Sequence, residues 1–174
     1  MKKIFPYHKV LIVGCGGAGK STLAMEIGKR FGLPIVHLDK LWWLPDWQTR
    51  TEQEFDELLA SELAKNDWII EGNYFRTFKT RLRHADLCIF LDYDTELCVQ
   101  SVYERAEKYK GVTRPDMTDG CTEHVDDEFK TWITSFKENV RPSMLSELKN
   151  SSIPYMIFQT RDETANWLNE FSND

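Results

Sequence analysis

The residues with the most specific potential chemistry lie at positions 14–21, which read GCGGAGKS and fit the pattern G-x-x-x-x-G-K-[ST] at every fixed position. Glycines allow a backbone loop to surround an anion with N–H groups, and a helix that begins there adds the positive end of its dipole. In such a loop Lys20 would reach the β- and γ-phosphates of ATP, and the Ser21 hydroxyl would coordinate Mg²⁺. The loop residues predicted to contact the nucleotide are Gly14, Gly16, Gly17, Ala18 and Gly19.

The same letters also fit a second nucleotide-binding pattern. Gly14, Gly16 and Gly19 match G-x-G-x-x-G, and Asp39 lies near the place of the ribose-binding acid of a dinucleotide site. That site gives no role to the lysine–hydroxyl pair after the last glycine, and the rest of the chain is short for a substrate domain. The sequence favours the triphosphate loop and keeps the dinucleotide site as an alternative.

Hydrophobic patterning indicates the elements that must position this loop. An apolar, β-branched run at 10–13 predicts a buried strand, and the spacing of Leu23, Ile27 and Phe31 predicts the helix after it. Residues 51–54 form a capping box at the start of a second helix. Four more strands are predicted at 35–38, 68–70, 87–91 and 155–158, with helices at about 95–109 and 123–139 and a restart at Pro142.

The alternation of strands and helices predicts an α/β fold. We expect a three-layer P-loop NTPase fold in which a five-stranded parallel sheet carries helices on both faces. Residues 1–174 are predicted to form one domain, and the break in the pattern at 110–121 predicts a lid at about 105–125. In such sheets ligands bind beyond the carboxyl ends of the strands, where the glycine-rich loop lies.

Two acids end predicted strands at the same edge. Asp39 could orient or deprotonate an acceptor hydroxyl, as a kinase aspartate does, or it could cap the segment that follows. Glu71 lies where nucleotide-binding proteins place an acid near Mg²⁺ or its water shell. We expect Ser21 and Glu71 to form the metal site.

Arginines are the next candidates, because a planar guanidinium binds phosphate or carboxylate through two hydrogen bonds. Arg76 and Arg81 follow the Glu71 strand and are candidates for holding an anionic acceptor. Arg105 and Arg114 flank the predicted lid and could close over the charge of a phosphoryl-transfer transition state. The predicted catalytic set is therefore Lys20, Asp39, Arg76, Arg105 and Arg114.

Aromatic and cysteine residues give weaker signals. The aromatic cluster could stack on a base or sugar ring, or it could pack in the core; its members are Trp42, Trp43, Trp47, Tyr74 and Phe75. Cys121 and His124 supply two of the four ligands that a structural zinc site needs, so an incidental pair is favoured.

Composition limits the function classes. The chain has 174 residues, of which 41% are hydrophobic, and its 22 basic and 28 acidic side chains give a net charge of −6. This acidic balance gives no electrostatic basis for direct nucleic-acid binding. Four cysteines without C-x-x-C spacing indicate reduced thiols, and no run approaches a membrane span. We expect a cytoplasmic protein; its oligomeric state is open.

Several segments together resemble a known family. The glycine-rich loop, residues 68–74 (WIIEGNY) and residues 113–117 (TRPDM) resemble the bacterial DNA topology modulation proteins, from the first strand to about Pro142. That family is similar to the adenylate kinase and shikimate kinase group. The resemblance implies a five-stranded sheet with a mobile lid, with Lys20, Ser21 and Thr22 on ATP–Mg²⁺. It further implies that Asp39 and Arg76 face the acceptor, that Arg105 and Arg114 are lid arginines, and that Arg161 lies by the adenine.

Departures from these relatives leave the acceptor open. The chain lacks the Asp-Gly-Phe-Pro-Arg run of adenylate kinases and the paired aspartates of shikimate kinases, and has Asp39 alone. The predicted function is transfer of the γ-phosphoryl group of ATP to a small-molecule acceptor such as a nucleoside, nucleotide or hydroxylated metabolite. The alternative from another class is a nucleotide-dependent regulator that affects DNA topology without phosphoryl transfer.

Overall fold

A computed structural model of the chain describes residues 2–172 and contains the predicted five-stranded parallel sheet. The strands, in chain order, are β1 (Lys3–Ile4), β2 (Lys9–Gly14), β3 (Ile35–His37), β4 (Trp68–Glu71), β5 (Leu87–Leu91), β6 (Tyr155–Phe158) and β7 (Phe171–Ser172). Five of them form the main sheet in the order β3-β4-β2-β5-β6, with every neighbouring pair parallel. The short strands β1 and β7 form a separate parallel pair, which the sequence did not predict.

Helices connect and flank these strands. They are α1 (Lys20–Phe31), α2 (Leu38–Trp42), α3 (Glu52–Leu63), α4 (Phe78–His84), α5 (Thr95–Lys108), α6 (Asp127–Asn139), α7 (Arg141–Lys149) and α8 (Arg161–Asn169). Every residue of β4 and β5 is buried. Because successive strand residues point to opposite faces, the central strands are covered on both sides, as the three-layer prediction requires.

The strand order of the sheet differs from that of a dinucleotide-binding fold and therefore favours the triphosphate loop over the dinucleotide site. In a dinucleotide-binding sheet the first strand pairs with the strand that follows it in the chain. Here the chain crosses from β2 to the edge strand β3, and β4 then returns to lie between them. The glycine-rich loop consequently leaves the carboxyl end of a central strand whose neighbours are β4 and β5.

Several helix boundaries follow from local capping. The capping box predicted at residues 51–54 is present, since the Thr51 hydroxyl accepts from the Glu54 N–H and the Glu54 carboxylate accepts from the Thr51 N–H. The helix predicted from residue 123 begins only at Asp127, because the Asp126 carboxylate caps it by accepting from the Phe129 N–H at 2.7 Å. The chain from 109 to 126 contains no helix.

The second predicted strand is shorter than expected. It ends at His37, and Asp39 lies in the first turn of α2 rather than at a strand terminus. No helix within residues 2–172 combines the length and the apolar composition that a bilayer crossing needs.

Arg81 organises the turn after β4 from inside the protein. Its side chain is fully buried, and its guanidinium donates to the backbone carbonyls of Gly72, Asn73 and Tyr74. Burial lowers the pKa of Arg81 to about 10. The expectation that Arg81 holds an anionic acceptor is therefore wrong, because its donors are used by the backbone of the turn.

We predict that Arg81→Met destabilises the fold by at least about 2 kcal/mol, because it leaves buried carbonyl groups without donors. Urea unfolding followed by circular dichroism measures the change. Arg83→Met on the same helix is the matched control, since Arg83 is exposed, and it should shift stability by less than about 0.5 kcal/mol. Equal stability of the two variants would contradict the role assigned to Arg81.

Candidate functional site

A cavity of about 660 Å³ lies where three strands end. The glycine-rich loop follows β2, Asp39 follows β3 and Glu71 ends β4, and all three contribute to its wall. Residues of the 109–126 segment and the start of α6 form the opposite side. The structure therefore brings most of the predicted catalytic residues to one concave site.

The glycine-rich loop has the backbone of a phosphate-binding loop. Gly17 has φ +82°, and a Cβ at this position would collide with the backbone carbonyl oxygen of Cys98. Gly19 has φ +90° and immediately precedes the 12-residue helix α1. Only glycine can combine a positive φ with the absence of a Cβ, and residue 17 requires both. The N–H groups of the loop and the dipole of α1 together favour binding of an anion here.

Lys20 lies inside the loop. Its ammonium donates to the carbonyls of Gly14 at 3.1 Å and Cys15 at 2.9 Å. A triphosphate in the loop would offer charged oxygens to these same donors, and hydrogen bonds to charged acceptors are about twice as strong as those to neutral ones. Thr22 lies in the first turn of α1, is exposed and does not line the cavity.

Ser21 and Glu71, the two residues predicted to hold a metal, are in contact. The Ser21 hydroxyl donates to the Glu71 carboxylate at 3.1 Å, and His37 Nδ1 contacts the same carboxylate oxygen at 2.8 Å. Burial opposes ionisation of Asp116, but the Arg114 charge 3.1 Å away holds the pKa of the Asp116 carboxyl below its usual value. Hydroxyl and carboxylate oxygens are suitable ligands for Mg²⁺.

The protein groups alone do not make a complete metal site. Within residues 2–172 no group of three or more His, Cys, Asp or Glu side chains could hold an ion. Mg²⁺ usually takes one or two protein ligands together with substrate phosphates and water, so Ser21 and Glu71 fit an ion that arrives with the nucleotide. The zinc alternative gains no support either, because Cys121 Sγ donates to the Leu44 carbonyl.

Asn73 joins the turn after β4 to the glycine-rich loop. Its side-chain amide accepts from the Gly14 N–H at 3.1 Å and donates to the Gly14 carbonyl at 2.7 Å. The first residue of the loop is therefore held on both of its backbone polar groups by one side chain. In the sequence Asn73 belongs to the segment 68–74 that carries the family resemblance, and it was not among the predicted site residues.

Asp39 is held by the next residue of the same turn. The Tyr74 hydroxyl donates to Asp39 Oδ1 at 2.7 Å, and Tyr74 has the left-handed backbone conformation at φ +35°. A non-glycine residue in this region is strained by about 1–3 kcal/mol, and such strain is concentrated at ligand sites. Burial and the nearby Glu71 charge raise the pKa of Asp39, against the opposing effects of Tyr74 and Lys20.

Arg105 and Arg114 share one buried carboxylate. Arg105 Nη2 lies 3.0 Å and Arg114 Nε 2.5 Å from Glu123, whose side chain is only 3% exposed. Arg114 also reaches Asp116 at 3.1 Å. Burial and the adjacent Arg114 charge lower the pKa of Arg105. Both arginines line the cavity. Glu123 was missed because a single acid in a loop carries no pattern.

Two predicted site residues lie elsewhere. Arg76 pairs with Asp56 at 2.7 Å and Glu52 at 3.4 Å on the protein surface and does not line the cavity, so the expectation that it faces the acceptor gains no support. Arg161 is exposed, donates to the Ser101 hydroxyl at 2.7 Å and does not line the cavity. Charge and sequence position suggested both residues, but neighbouring acids and hydroxyls determine where their long side chains rest.

The aromatic cluster divides. Phe75 is exposed and lies outside the cavity, whereas Trp42, Trp43, Trp47 and Tyr74 line it. Trp47 and the preceding Asp46 both have φ +58°, so a strained turn presents the Trp47 indole. Phe129 and Trp132 of α6 also line the cavity and were missed, because aromatic residues on a helix ordinarily indicate core packing.

Comparisons with known proteins support the fold class. No protein-family model matches the chain, and no curated protein matches it. Solved structures do match over nearly the whole chain. The shikimate kinase of Acinetobacter baumannii in complex with shikimate has a TM-score of 0.59 at 14% identity, covering 94% of this chain and 92% of that one.

Two further structures agree. The shikimate kinase of Bacteroides thetaiotaomicron has a TM-score of 0.56 at 19% identity, with 94% and 97% of the two chains covered. The deoxyadenosine kinase of M. mycoides with bound dATP has a TM-score of 0.51 at 15% identity, covering 92% and 98%. At these identities the likeness shows the fold alone: the chain has the fold of the small P-loop kinases.

We predict that Mg²⁺–ATP stabilises the protein and that NAD does not. Ligand at about 100-fold excess over Kd adds roughly 2.7 kcal/mol, which raises the unfolding midpoint of a chain of this size by about 5–10 °C. A thermal-shift measurement gives the result directly. Lys20→Ala should remove the shift and the exposed Lys29→Ala should keep it; an equal shift with NAD would instead favour the dinucleotide site.

Proposed function

We propose that this chain is an ATP-dependent phosphotransferase that moves the γ-phosphoryl group of ATP to a hydroxyl of a small molecule. One observation carries the proposal: a continuous set of hydrogen bonds joins the phosphate loop to a half-buried carboxylate. Asn73 holds Gly14, the adjacent Tyr74 holds Asp39, and both belong to one turn. This arrangement fixes the position of a candidate general base relative to the triphosphate. Phosphoryl transfer depends mainly on such positioning of the reacting groups.

In the proposed mechanism the loop N–H groups and Lys20 bind the β- and γ-phosphates. Ser21 and Glu71 would hold Mg²⁺, which when bound would neutralise phosphate charge. The acceptor hydroxyl oxygen attacks the γ-phosphorus, the bond from that phosphorus to the β,γ-bridging oxygen breaks, and ADP leaves. Asp39 Oδ takes the proton that the hydroxyl releases.

The lid arginines complete the charge balance of the proposal. Arg105 and Arg114 would exchange part of their contact with Glu123 for the oxygens of the transferring group. Arg114, Met117 and Glu123 of the same segment line the cavity, and closure of this segment over the ligands would exclude water that competes with the acceptor. Arg76 has no role here, since it pairs with Asp56 outside the cavity.

Membership of the DNA topology modulation family, suggested by the resemblance of residues 68–74 and 113–117, stays a prediction. Within the proposal, an effect on DNA would follow indirectly from the small-molecule product. The acidic net charge of −6 supports this view, since direct DNA binding depends on cationic contacts to phosphate.

The direct test is phosphoryl transfer from γ-labelled ATP to a panel of nucleosides, sugars and hydroxy acids. We expect one class of acceptor to be labelled, and Asp39→Asn to reduce the rate by on the order of 10²–10⁴ while ATP still binds. Lys20→Ala should abolish transfer. Absence of transfer, together with ATP-dependent binding to DNA that weakens steeply with salt, would instead favour the regulator.

The acid limb of the pH–rate profile gives a second prediction. Transfer requires the Asp39 carboxylate, so kcat/KM should fall as the pH drops through a pKa above the ordinary aspartate value of about 3.9. The Tyr74 hydroxyl lowers that pKa, so Tyr74→Phe should move the acid limb to higher pH. The exposed Tyr103→Phe is the control, and a limb unmoved by Tyr74→Phe would contradict Asp39 as the base.

A further inference from the structure

We propose that the acceptor is a hydroxylated ring compound without negative charge, either a neutral one or an amine-bearing cation. This inference rests on the phosphotransferase activity proposed above and names the substrate class of the same site. It comes from the distribution of charge around the cavity. Acids and aromatic rings make up much of the cavity wall, and each lysine or arginine in that wall already contacts another group of the protein.

The cations of the cavity wall are few and already engaged. Among residues 2–172, Lys and Arg side chains line it at only three positions: Lys20, Arg105 and Arg114. Lys20 lies inside the phosphate loop on the carbonyls of Gly14 and Cys15. Arg105 and Arg114 share Glu123, and ATP phosphates would compete for them first.

Three further arginines contact or follow cavity-lining residues in the chain but do not line the cavity themselves. Arg50 donates to the carbonyls of Lys40, Leu41 and Trp43, so it caps the end of α2. Arg76 pairs with Asp56 on the surface. Arg81 is buried beneath the turn after β4. None of these three guanidinium groups lines the cavity, and an acidic acceptor would find no free fork of donors there.

Carboxylates, in contrast, line the cavity at five positions: Asp39, Glu71, Glu123, Asp126 and Glu128. Asp39 has a neutral hydroxyl as its hydrogen-bond partner, and Glu71 contacts Ser21 and His37. Glu123 is paired with two arginines and Glu71 is assigned to the metal, but a carboxylate or phosphate on the acceptor would still face Asp39, Asp126 and Glu128 in addition to the charge of ATP. Like charges repel, and the repulsion is strongest beside the half-buried Asp39, where water screens it least.

Aromatic rings supply the attraction instead. The indoles of Trp43 and Trp47 meet edge to face with ring centroids 5.2 Å apart, and the His124 ring lies 4.9 Å from Trp47. The face of an indole binds flat rings and ammonium groups. Neither kind of ligand is repelled by the carboxylates that line the same cavity. The strained turn at Asp46 and Trp47 keeps this indole at the cavity wall.

The lid supports the same wall, which connects acceptor binding to closure. The Thr118 hydroxyl donates to the Trp43 carbonyl at 2.8 Å, and Cys121 Sγ donates to the Leu44 carbonyl at 3.2 Å. A Cβ on Gly120 would lie 3.2 Å from Pro45, so the predicted lid packs closely against residues 43–47, which we call the tryptophan turn. An acceptor seated on Trp47 would therefore stabilise the segment that carries Arg114.

Matched pairs of acceptors test the charge rule. Calorimetric titrations, with the protein saturated with Mg²⁺ and a non-hydrolysable ATP analogue, would compare adenosine with AMP and glucosamine with glucuronate, which keeps the pyranose ring and adds a negative charge. We expect one uncharged or cationic member to bind at least tenfold more tightly than its anionic partner. Tighter binding of the anionic members overturns the proposal, and so does binding of neither member in both pairs.

Transfer assays on the same pairs separate this proposal from the parent one. Transfer to an anionic member alone would overturn the substrate class and leave the phosphotransferase intact. Selective binding of an uncharged or cationic member without any transfer would support the substrate class and contradict the phosphotransferase.

A variant pair locates the acceptor. Trp47→Ala should weaken acceptor binding at least tenfold and leave the Kd of the ATP analogue within twofold. Tyr103→Ala, which removes an exposed ring outside the cavity, is the control and should change neither constant by more than twofold. Equal acceptor affinity in the wild type and Trp47→Ala would show that the acceptor does not rest on the tryptophan wall and would overturn the proposal.

Discussion

The turn at residues 72–74 holds the candidate site together. From below, the buried Arg81 guanidinium binds all three of its carbonyls. From above, Asn73 binds Gly14 at the start of the phosphate loop, and Tyr74 binds Asp39 on α2. The turn thus sets the loop and the carboxylate at a fixed relative position, although it contributes no charge of its own. Rigid placement of this kind is worth more in phosphoryl transfer than any covalent participation by the protein.

A second consequence concerns the lid. Arg105 and Arg114 meet at Glu123 in the predicted lid, and Thr118 of the same segment donates to the Trp43 carbonyl, so one segment contacts both the arginine pair and the tryptophans of the cavity wall. Ligand binding on either side would favour the same closed arrangement, since both sets of contacts require it. In this account specificity arises where the lid meets the tryptophan turn, and the phosphate loop is indifferent to the acceptor.

The sequence predicted the fold well because its signals are local and repeated. Buried apolar runs, the capping box at Thr51 and the glycines around Lys20 each act within a few residues, and the structure contains every predicted strand of the main sheet. The site residues were harder to predict. Arg76, Arg81 and Arg161 are the same residue type, and only the folded structure shows which partners each of them contacts. Asn73 lies in the segment 68–74, which gives it no role by itself, and Glu123 carries no motif; the roles of both depend on contacts 59 and 18 residues away in the chain. Long-range geometry of this kind is absent from any local pattern.

The central claim, that the turn after β4 positions the phosphate loop, is tested most directly by calorimetric titration of Mg²⁺–ATP into Asn73→Asp. The substitution keeps the shape of the side chain and removes the donor to the Gly14 carbonyl, with Asn66→Asp, at an exposed position, as the matched control. Loss of such a hydrogen bond, with an oxygen set against the carbonyl, should weaken ATP binding by about tenfold or more. Binding within twofold of the wild type would contradict the account.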